Sequence, residues 1–277
     1  MAWQLAIDGP SPQGDTLESL LESRGARVEL GDGSRLIASF DEHPDLIIID
    51  AVGAWLTNLG LQDAPLHTRT KSADPWQEGW RAIFQSFQVS KRLWVTPSWD
   101  DPLPAGADTT SIIIDPTQAF GAGAHPTTAA VLEMLDRCLH TMDHAKVLDV
   151  GSGTGILAIA AIKLGAHAVG VEIDPVACED SIRNAELNGV ADRFEVHVGS
   201  VEKVDQVFDV VVANVYGSVL EKLATPIMTA CSRELILSGM MSHKADGVLA
   251  AYDSLRLKER VDDRGWTTAW LTRNDAS

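Results

Sequence analysis

The sequence predicts an α/β protein in two parts. A small N-terminal α+β domain covers residues 1–71, and a larger, mostly parallel sheet with helices on both faces covers 89–277, with a helix at 72–88 between them. Three observations carry this reading. From Lys146 onward strand and helix signals alternate regularly, the pattern of repeated βα units. The apolar run Val147–Val150 passes directly into Gly151-Ser152-Gly153-Thr154-Gly155 and then into an apolar helix. The first seventy residues show a separate order of signals, βαββαβ.

In that first part Trp3–Ile7 reads as a strand and Gly14–Leu21 places apolar residues at helical spacing. Ala26–Leu30 and Arg35–Phe40 read as a hairpin around Gly31-Asp32-Gly33. The length of the apolar stretch Asp45–Leu59 favours a helix, and Leu66–Lys71 supplies the closing strand, which completes a ferredoxin-like order. After Asp74-Pro75, the residues Trp76, Trp80, Ile83, Phe84 and Phe87 fall three and four apart, an amphipathic connecting helix whose aromatics are packing residues. Leu93-Trp94-Val95 and Ser111–Ile114 are short strands on either side of a Pro- and Asp-rich loop.

The larger domain then runs strand Lys146–Val150, helix Ile156–Leu164, strand Ala168–Ile173, helix Pro175–Asn188 and strand Phe194–Val198. It continues with strand Phe208–Val215, helix Ser218–Cys231, strand Glu234–Ser238 and helix Lys244–Leu255. Strands Leu257–Val261 and Thr267–Leu271, joined by Asp262-Asp263-Arg264-Gly265, form a terminal antiparallel hairpin. Seven strands in this succession make a Rossmann-like sheet.

Composition narrows the function. Hydrophobic residues are 45% and charged residues 22% of the 277, an ordinary globular balance. No stretch reaches the ~18 apolar residues of a membrane span, and the N-terminus lacks a signal-peptide pattern, so a cytoplasmic location and no membrane partner are expected. A net charge of −17 repels a phosphate backbone, so general nucleic-acid binding is not expected, whereas a lysine-rich protein would be attracted. Cys138, Cys178 and Cys231 are too far apart for a disulfide framework or a metal knuckle. The grouping of Cys138 with His140 and His144 lacks a fourth ligand, and no metal is expected.

The glycine loop is GxGxG, not the GxGxxG of dinucleotide sites, and Asp149 stands two residues before Gly151. A carboxylate there would repel a pyrophosphate but suits the ammonium and sulfonium of S-adenosyl-L-methionine. Glu172, at the end of the next strand, can accept hydrogen bonds from both ribose hydroxyls, a feature shared with NAD sites. Asp174 before Pro175 reads as a helix N-cap. Gly153 belongs to the loop that approaches the ligand, and Ser200 follows the third strand, where an adenine edge would lie. Asn214 ends the fourth strand and faces the same crevice, where an amide can orient an acceptor amine without adding charge. In the segment Phe120–Thr128, Thr127 and Thr128 open a helix that either can cap, and His125 reads as structural more readily than as a base.

Taken together these residues resemble the ribosomal protein L-11 methyltransferases. The resemblance runs through Asp74-Pro75-Trp76-Gln77-Glu78-Gly79-Trp80, Leu93–Trp99, Asp115–Gly121, His125-Pro126-Thr127-Thr128, Asp149–Ile159, Ala213-Asn214 and Leu237-Ser238-Gly239. It implies that the N-terminal domain recognises a large-subunit ribosomal protein and that Thr128, Gly151, Glu172 and Asn214 meet the cofactor. Asn214 and Phe120 are then the expected catalytic pair, and the acceptors are the terminal α-amine and lysine side chains. Glu172 stands where the family usually has aspartate, Ser152 where cysteine is frequent, and Ala122 and Ala124 where threonines are common. Three rivals stay open at this stage: a methyltransferase of the same fold for another protein lysine, a small molecule or RNA; an NAD-binding oxidoreductase, disfavoured by GxGxG; and a non-catalytic assembly module.

Overall fold

A computed structural model of the chain describes residues 3–8, 26–30, 35–40, 66–70, 85–100, 109–115 and 125–273. The chain divides into two compact units, Met1–Ile83 and Phe84–Ser277. In the first, β1 (Trp3–Asp8), β2 (Arg27–Leu30), β3 (Arg35–Phe40) and β4 (Leu66–Thr70) form one sheet in the order β2-β3-β1-β4. Every neighbouring pair in it is antiparallel. Placing β1 between β3 and β4 is what a βαββαβ chain does when its two halves interleave, so the strand order agrees with the ferredoxin-like reading. The helices expected at 14–21 and 45–59 lie outside the described residues.

The second unit opens with a small sheet, β5 (Phe87–Gln88), β6 (Leu93–Pro97) and β7 (Thr110–Ile114), in that spatial order. Here the structure departs from the expected helix at 72–88, most of which lies outside the described residues: Phe87 pairs with Val95 and Gln88 with Trp94. The turn between them is closed by Ser90, whose Oγ accepts the Arg92 and Leu93 N–H groups at 3.2 and 3.1 Å. A local side-chain acceptor thus gives the backbone an alternative to one more helical turn. Arg92 donates to Asp136 Oδ1 at 2.7 Å and to the Asp136 carbonyl at 2.8 Å, which fastens this hairpin to the helix α1 (Pro126–Leu139).

The main sheet holds β8 (Lys146–Val150), β9 (His167–Glu172), β10 (Phe194–Val198), β11 (Phe208–Asn214), β12 (Cys231–Met241), β13 (Arg256–Asp263) and β14 (Trp266–Thr272). Their order is β10-β9-β8-β11-β12-β14-β13. The first five are parallel and β14 runs antiparallel between β12 and β13. The helices are α2 (Ile156–Lys163), α3 (Pro175–Leu187), α4 (Gly217–Lys222), α5 (Ala224–Ala230) and α6 (Ala245–Ala250). Each face of the sheet has its own core. One joins Val147, Leu132, Leu135 and Ile159 to Leu93 and Ile112 of the small sheet; the other gathers Leu148, Val211, Leu235 and Tyr252. All of α2 except Lys163 is buried, as an all-apolar helix requires.

The single helix expected at 218–231 is two, α4 and α5, divided at Leu223. Pro226 explains the break: in a continuous helix its ring would meet the carbonyl of residue 222, whereas in the first turn of a new helix it is tolerated. Strand β12 also begins earlier than Glu234, and it continues past Ser238 through a register shift between Leu237 and Met240. Gly239 occupies that shift at φ +88°, which a glycine tolerates and most side chains do not.

Candidate active site

Strand order reverses where β8 lies between β9 and β11, and the crevice beyond the carboxyl ends of these strands is where open α/β sheets bind ligands. The glycine loop leaves β8 there. The Gly151 and Ser152 N–H groups both donate to the Val171 carbonyl, at 2.8 and 3.2 Å, pinning the loop to β9. Gly151 has φ +73°, and a Cβ on it would lie 2.4 Å from Val215 Cγ1, so only glycine fits. Gly153 donates its N–H to Glu172 Oε2 at 3.0 Å.

Asp149 is fully buried. Its Oδ2 accepts the Ala158 N–H of the first turn of α2 at 3.1 Å, while Oδ1 has no hydrogen-bond partner. Burial pushes this carboxyl up to about 7; the Ala158 hydrogen bond pulls it down, and the negative charge of Glu172 adds to the rise. The aspartate therefore ties β8 to α2 with one oxygen and keeps the other uncommitted.

Glu172 ends β9 with both oxygens on backbone donors, Oε2 on Gly153 and Oε1 on Asp174 at 3.1 Å. The next side chain, Ile173, is 77% exposed beside it, an apolar surface at the mouth of the crevice. Asp174 is the N-cap of α3, accepting the Val176 N–H at 2.8 Å. Ser200 sits past β10, where its Oγ donates to Glu202 Oε2 at 3.2 Å. The adjacent Gly199 N–H donates to the Glu172 carbonyl at 2.8 Å, which holds the ends of β9 and β10 together.

Asn214 closes β11, and its Nδ2 donates to Thr128 Oγ1 at 3.1 Å. That bond joins two residues 86 positions apart in the sequence. Asn214 Oδ1 is buried without a hydrogen-bond partner. Thr128 stands in the first turn of α1, but the cap of that helix is neither threonine. His125 takes the position, its Nδ1 accepting from the Thr127 N–H at 3.4 Å and lying 2.7 Å from Thr127 Oγ1. Pro126 supplies the first helical residue, which needs no amide donor. The His125 ring packs edge-on against Trp266 at 5.3 Å, a structural role.

Thus Thr128 and Asn214 are joined directly, as are Gly153 and Glu172, while Asp149 is tied to the start of α2 and Ser200 makes only a local contact. Phe120 lies outside the described residues. Sequence reasoning passed over Ile173, although an apolar residue between a strand-end acid and a helix N-cap had no core to enter. Among the described residues no group of histidine, cysteine and acidic side chains could hold a metal. The three cysteines are buried, with burial raising Cys138 to about 12 and Cys231 to about 11, so neither offers a thiolate.

A seven-stranded sheet of this order, with a GxGxG loop after its central strand, an acid ending the next and an asparagine ending the fourth, defines an S-adenosylmethionine-dependent methyltransferase fold. The residues present fit the chemistry of such a ligand: unpartnered buried oxygens on Asp149 and Asn214 are compatible with cationic centres, and a half-buried carboxylate beside an exposed isoleucine is compatible with ribose hydroxyls and a flat base. Residues 12–274 match the family pattern described as Ribosomal protein L11 methyltransferase (PrmA). The Ribosomal protein L11 methyltransferase of Sorangium cellulosum is 35% identical over 268 residues, 91% of this chain and 83% of that protein. That of Glaesserella parasuis is 33% identical over 96% of this chain and 97% of its own length. A crystal structure of ribosomal protein L11 methylase from Lactobacillus delbrueckii subsp. bulgaricus superimposes with a TM-score of 0.62 at 28% identity, covering 69% of this chain and 100% of that one. The chain belongs to the ribosomal protein L11 methyltransferase family.

Proposed function

We propose that this chain transfers methyl groups from S-adenosylmethionine to amines of ribosomal protein L11, at the N-terminal α-amine and lysine side chains. The observation that supports this most is Asn214 Oδ1, a buried acceptor without a partner whose amide is already held by Thr128. An amine N–H can donate to that oxygen, and the fixed amide then aims the nitrogen lone pair. When bound, S-adenosylmethionine supplies an electrophilic methyl group on a sulfonium. Glu172 would hold its ribose hydroxyls, Thr128, Gly151, Gly153, Ser200 and Asn214 would complete its seat, and Asp149 would face its positive charge through Oδ1. Phe120 is proposed as the second catalytic residue with Asn214.

The acceptor must arrive neutral, and a free lysine has a pKa of ~10.4. No described side chain in the crevice is a compelling base, so the proton leaves to water or by a desolvated route and the enzyme contributes alignment. The N-terminal unit, residues 1–83, is the recognition module for L11, and a net charge of −17 favours a basic partner. A ribosomal substrate places the reaction in the cytoplasm.

Incubating the chain with labelled S-adenosylmethionine and purified L11, followed by mass spectrometry, tests this reading. Whole-methyl mass gains on amines of L11 are expected. Label that stays off L11 and enters RNA or a small molecule instead would overturn the substrate. A chain lacking residues 1–83 should still bind S-adenosylmethionine yet stop methylating L11, and full retention of that activity would contradict the recognition role.

A further inference from the structure

Strand β7 is the outer strand of its three-stranded sheet, so one row of its backbone groups lacks a strand partner. Helix α3 supplies the partner with carboxamides. Asn188 accepts the Ile113 N–H through Oδ1 at 2.9 Å and donates Nδ2 to the Ile113 carbonyl at 2.6 Å. One turn earlier, Asn184 accepts the Asp115 N–H through Oδ1 at 2.8 Å. The match is geometric: two strand residues advance about 6.6 Å and four helical residues about 6 Å, so asparagines four apart reach alternate positions of the strand.

Asn184 does something Asn188 does not. Its Nδ2 donates to the Thr154 carbonyl at 2.9 Å, and Thr154 lies between Gly153 and Gly155 in the glycine loop. Helix α3 touches that loop a second time at Gly155, where a Cβ would come within 2.9 Å of Ser181 Cβ. Asn184 and Ser181 are both buried. Asn188, by contrast, spends its remaining contacts on the Lys163 ammonium at 3.0 Å and the Asn184 carbonyl at 2.8 Å, away from the loop.

We propose that Asn184 is a positioning residue for the cofactor site: its carboxamide fixes the Thr154 carbonyl of the glycine loop to the Asp115 amide at the end of β7, so that the shape of the loop is set from α3. A carboxamide presents a donor and an acceptor side by side without ionising, which suits this bridge between a carbonyl and an amide. The inference rests on the glycine loop being the S-adenosylmethionine site.

Paired substitutions separate this role from general support of the fold. Asn184→Asp keeps the acceptor for Asp115 but turns an oxygen toward the Thr154 carbonyl; Asn188→Asp does the same toward Ile113 and retains Lys163. Both should lower the thermal midpoint. Calorimetric titration with S-adenosylhomocysteine should show about tenfold weaker binding for Asn184→Asp and less than about twofold change for Asn188→Asp, the scale of one lost hydrogen bond. Equal losses in the two variants, or undiminished affinity in folded Asn184→Asp, would overturn the proposal. If Asn184→Asp does not fold, amide exchange of the unaltered protein decides. Bound S-adenosylhomocysteine should slow the Asp115 amide more than the Ile113 amide, and equal slowing would refute the bridge. Failure of the unaltered protein to bind S-adenosylhomocysteine at all would instead sink the cofactor reading, and this inference with it.

Discussion

Near the amino-terminal ends of the parallel strands, Glu234 is buried with both oxygens engaged: Oε2 accepts the Trp270 indole N–H at 2.6 Å, and Oε1 accepts Thr272 Oγ1 at 3.3 Å and Lys258 Nζ at 3.4 Å. Lys258 also lies 4.0 Å over the Trp270 ring. At the carboxyl ends of the same sheet, Asp149 and Asn214 each keep one buried oxygen without a partner. Buried polar groups are normally paired, because an unpaired one loses its hydration for nothing in return. The saturated end serves stability, and under the function proposed above the unsaturated end would serve a ligand.

The sharpest way to break this contrast is Asn214→Ala. It should lower single-turnover methylation of L11 by ~10²-fold at saturating cofactor while weakening cofactor binding no more than ~10-fold. A rate that recovers fully at saturation would make Asn214 a binding residue alone. Glu172→Ala comes next, with cofactor affinity expected to fall by ~1–3 kcal/mol in calorimetry as ribose hydroxyls lose their acceptor. An unchanged dissociation constant in the folded variant would remove Glu172 from the site. At the other end, Glu234→Ala strands the Trp270 N–H and should cost ~1–3 kcal/mol in denaturant unfolding. Its turnover should stay within about twofold of the parent, and a large loss would mean that the two ends are not functionally distinct.

The smallest effect concerns Asp149, whose carboxyl rises from 3.8 to about 7 on folding. Between those values the folded state holds a proton that the unfolded chain releases, so this group's contribution to stability falls as pH rises and levels off above about 7. Asp149→Asn should remove that decline, so that from pH 7 toward pH 4 the unfolding midpoint of the ligand-free parent rises relative to that of the variant. Parallel pH profiles would show that Asp149 is ionised throughout.

Much of the catalytic unit was legible because its strands are apolar runs with clear breakers. Lys146–Val150 and Phe194–Val198 have the boundaries their sequences suggest. The division at Leu223 depended on weighing Pro226 against a helical period that runs through it, and the extension of β12 depended on reading Gly239 as a bulge instead of a stop. Glu172 and Asn214 could be singled out because each ends a strand at the carboxyl edge of the sheet. Asn184 could not, since an asparagine within a helix gives no sign that a strand edge 69 residues earlier needs its oxygen. His125 as the cap of α1 was equally hidden, because Thr127 and Thr128 carry the commoner capping side chains.

Val215, next to Asn214, occupies a slot between two glycines. A Cβ on Gly151 would strike its Cγ1 at 2.4 Å, and one on Gly239 would strike its carbonyl oxygen at 2.2 Å. The side chain of 215 therefore shares its space with position 151, while its backbone closes the space at 239. A larger residue at 151 would need a smaller one at 215, and not fully even then, whereas at 239 no change of the 215 side chain relieves the backbone clash; both glycines also sit at positive φ. In a saturation library of this chain, position 215 would accept reductions in size and refuse increases, and viable variants at 151 and 239 would be nearly confined to the parent residue.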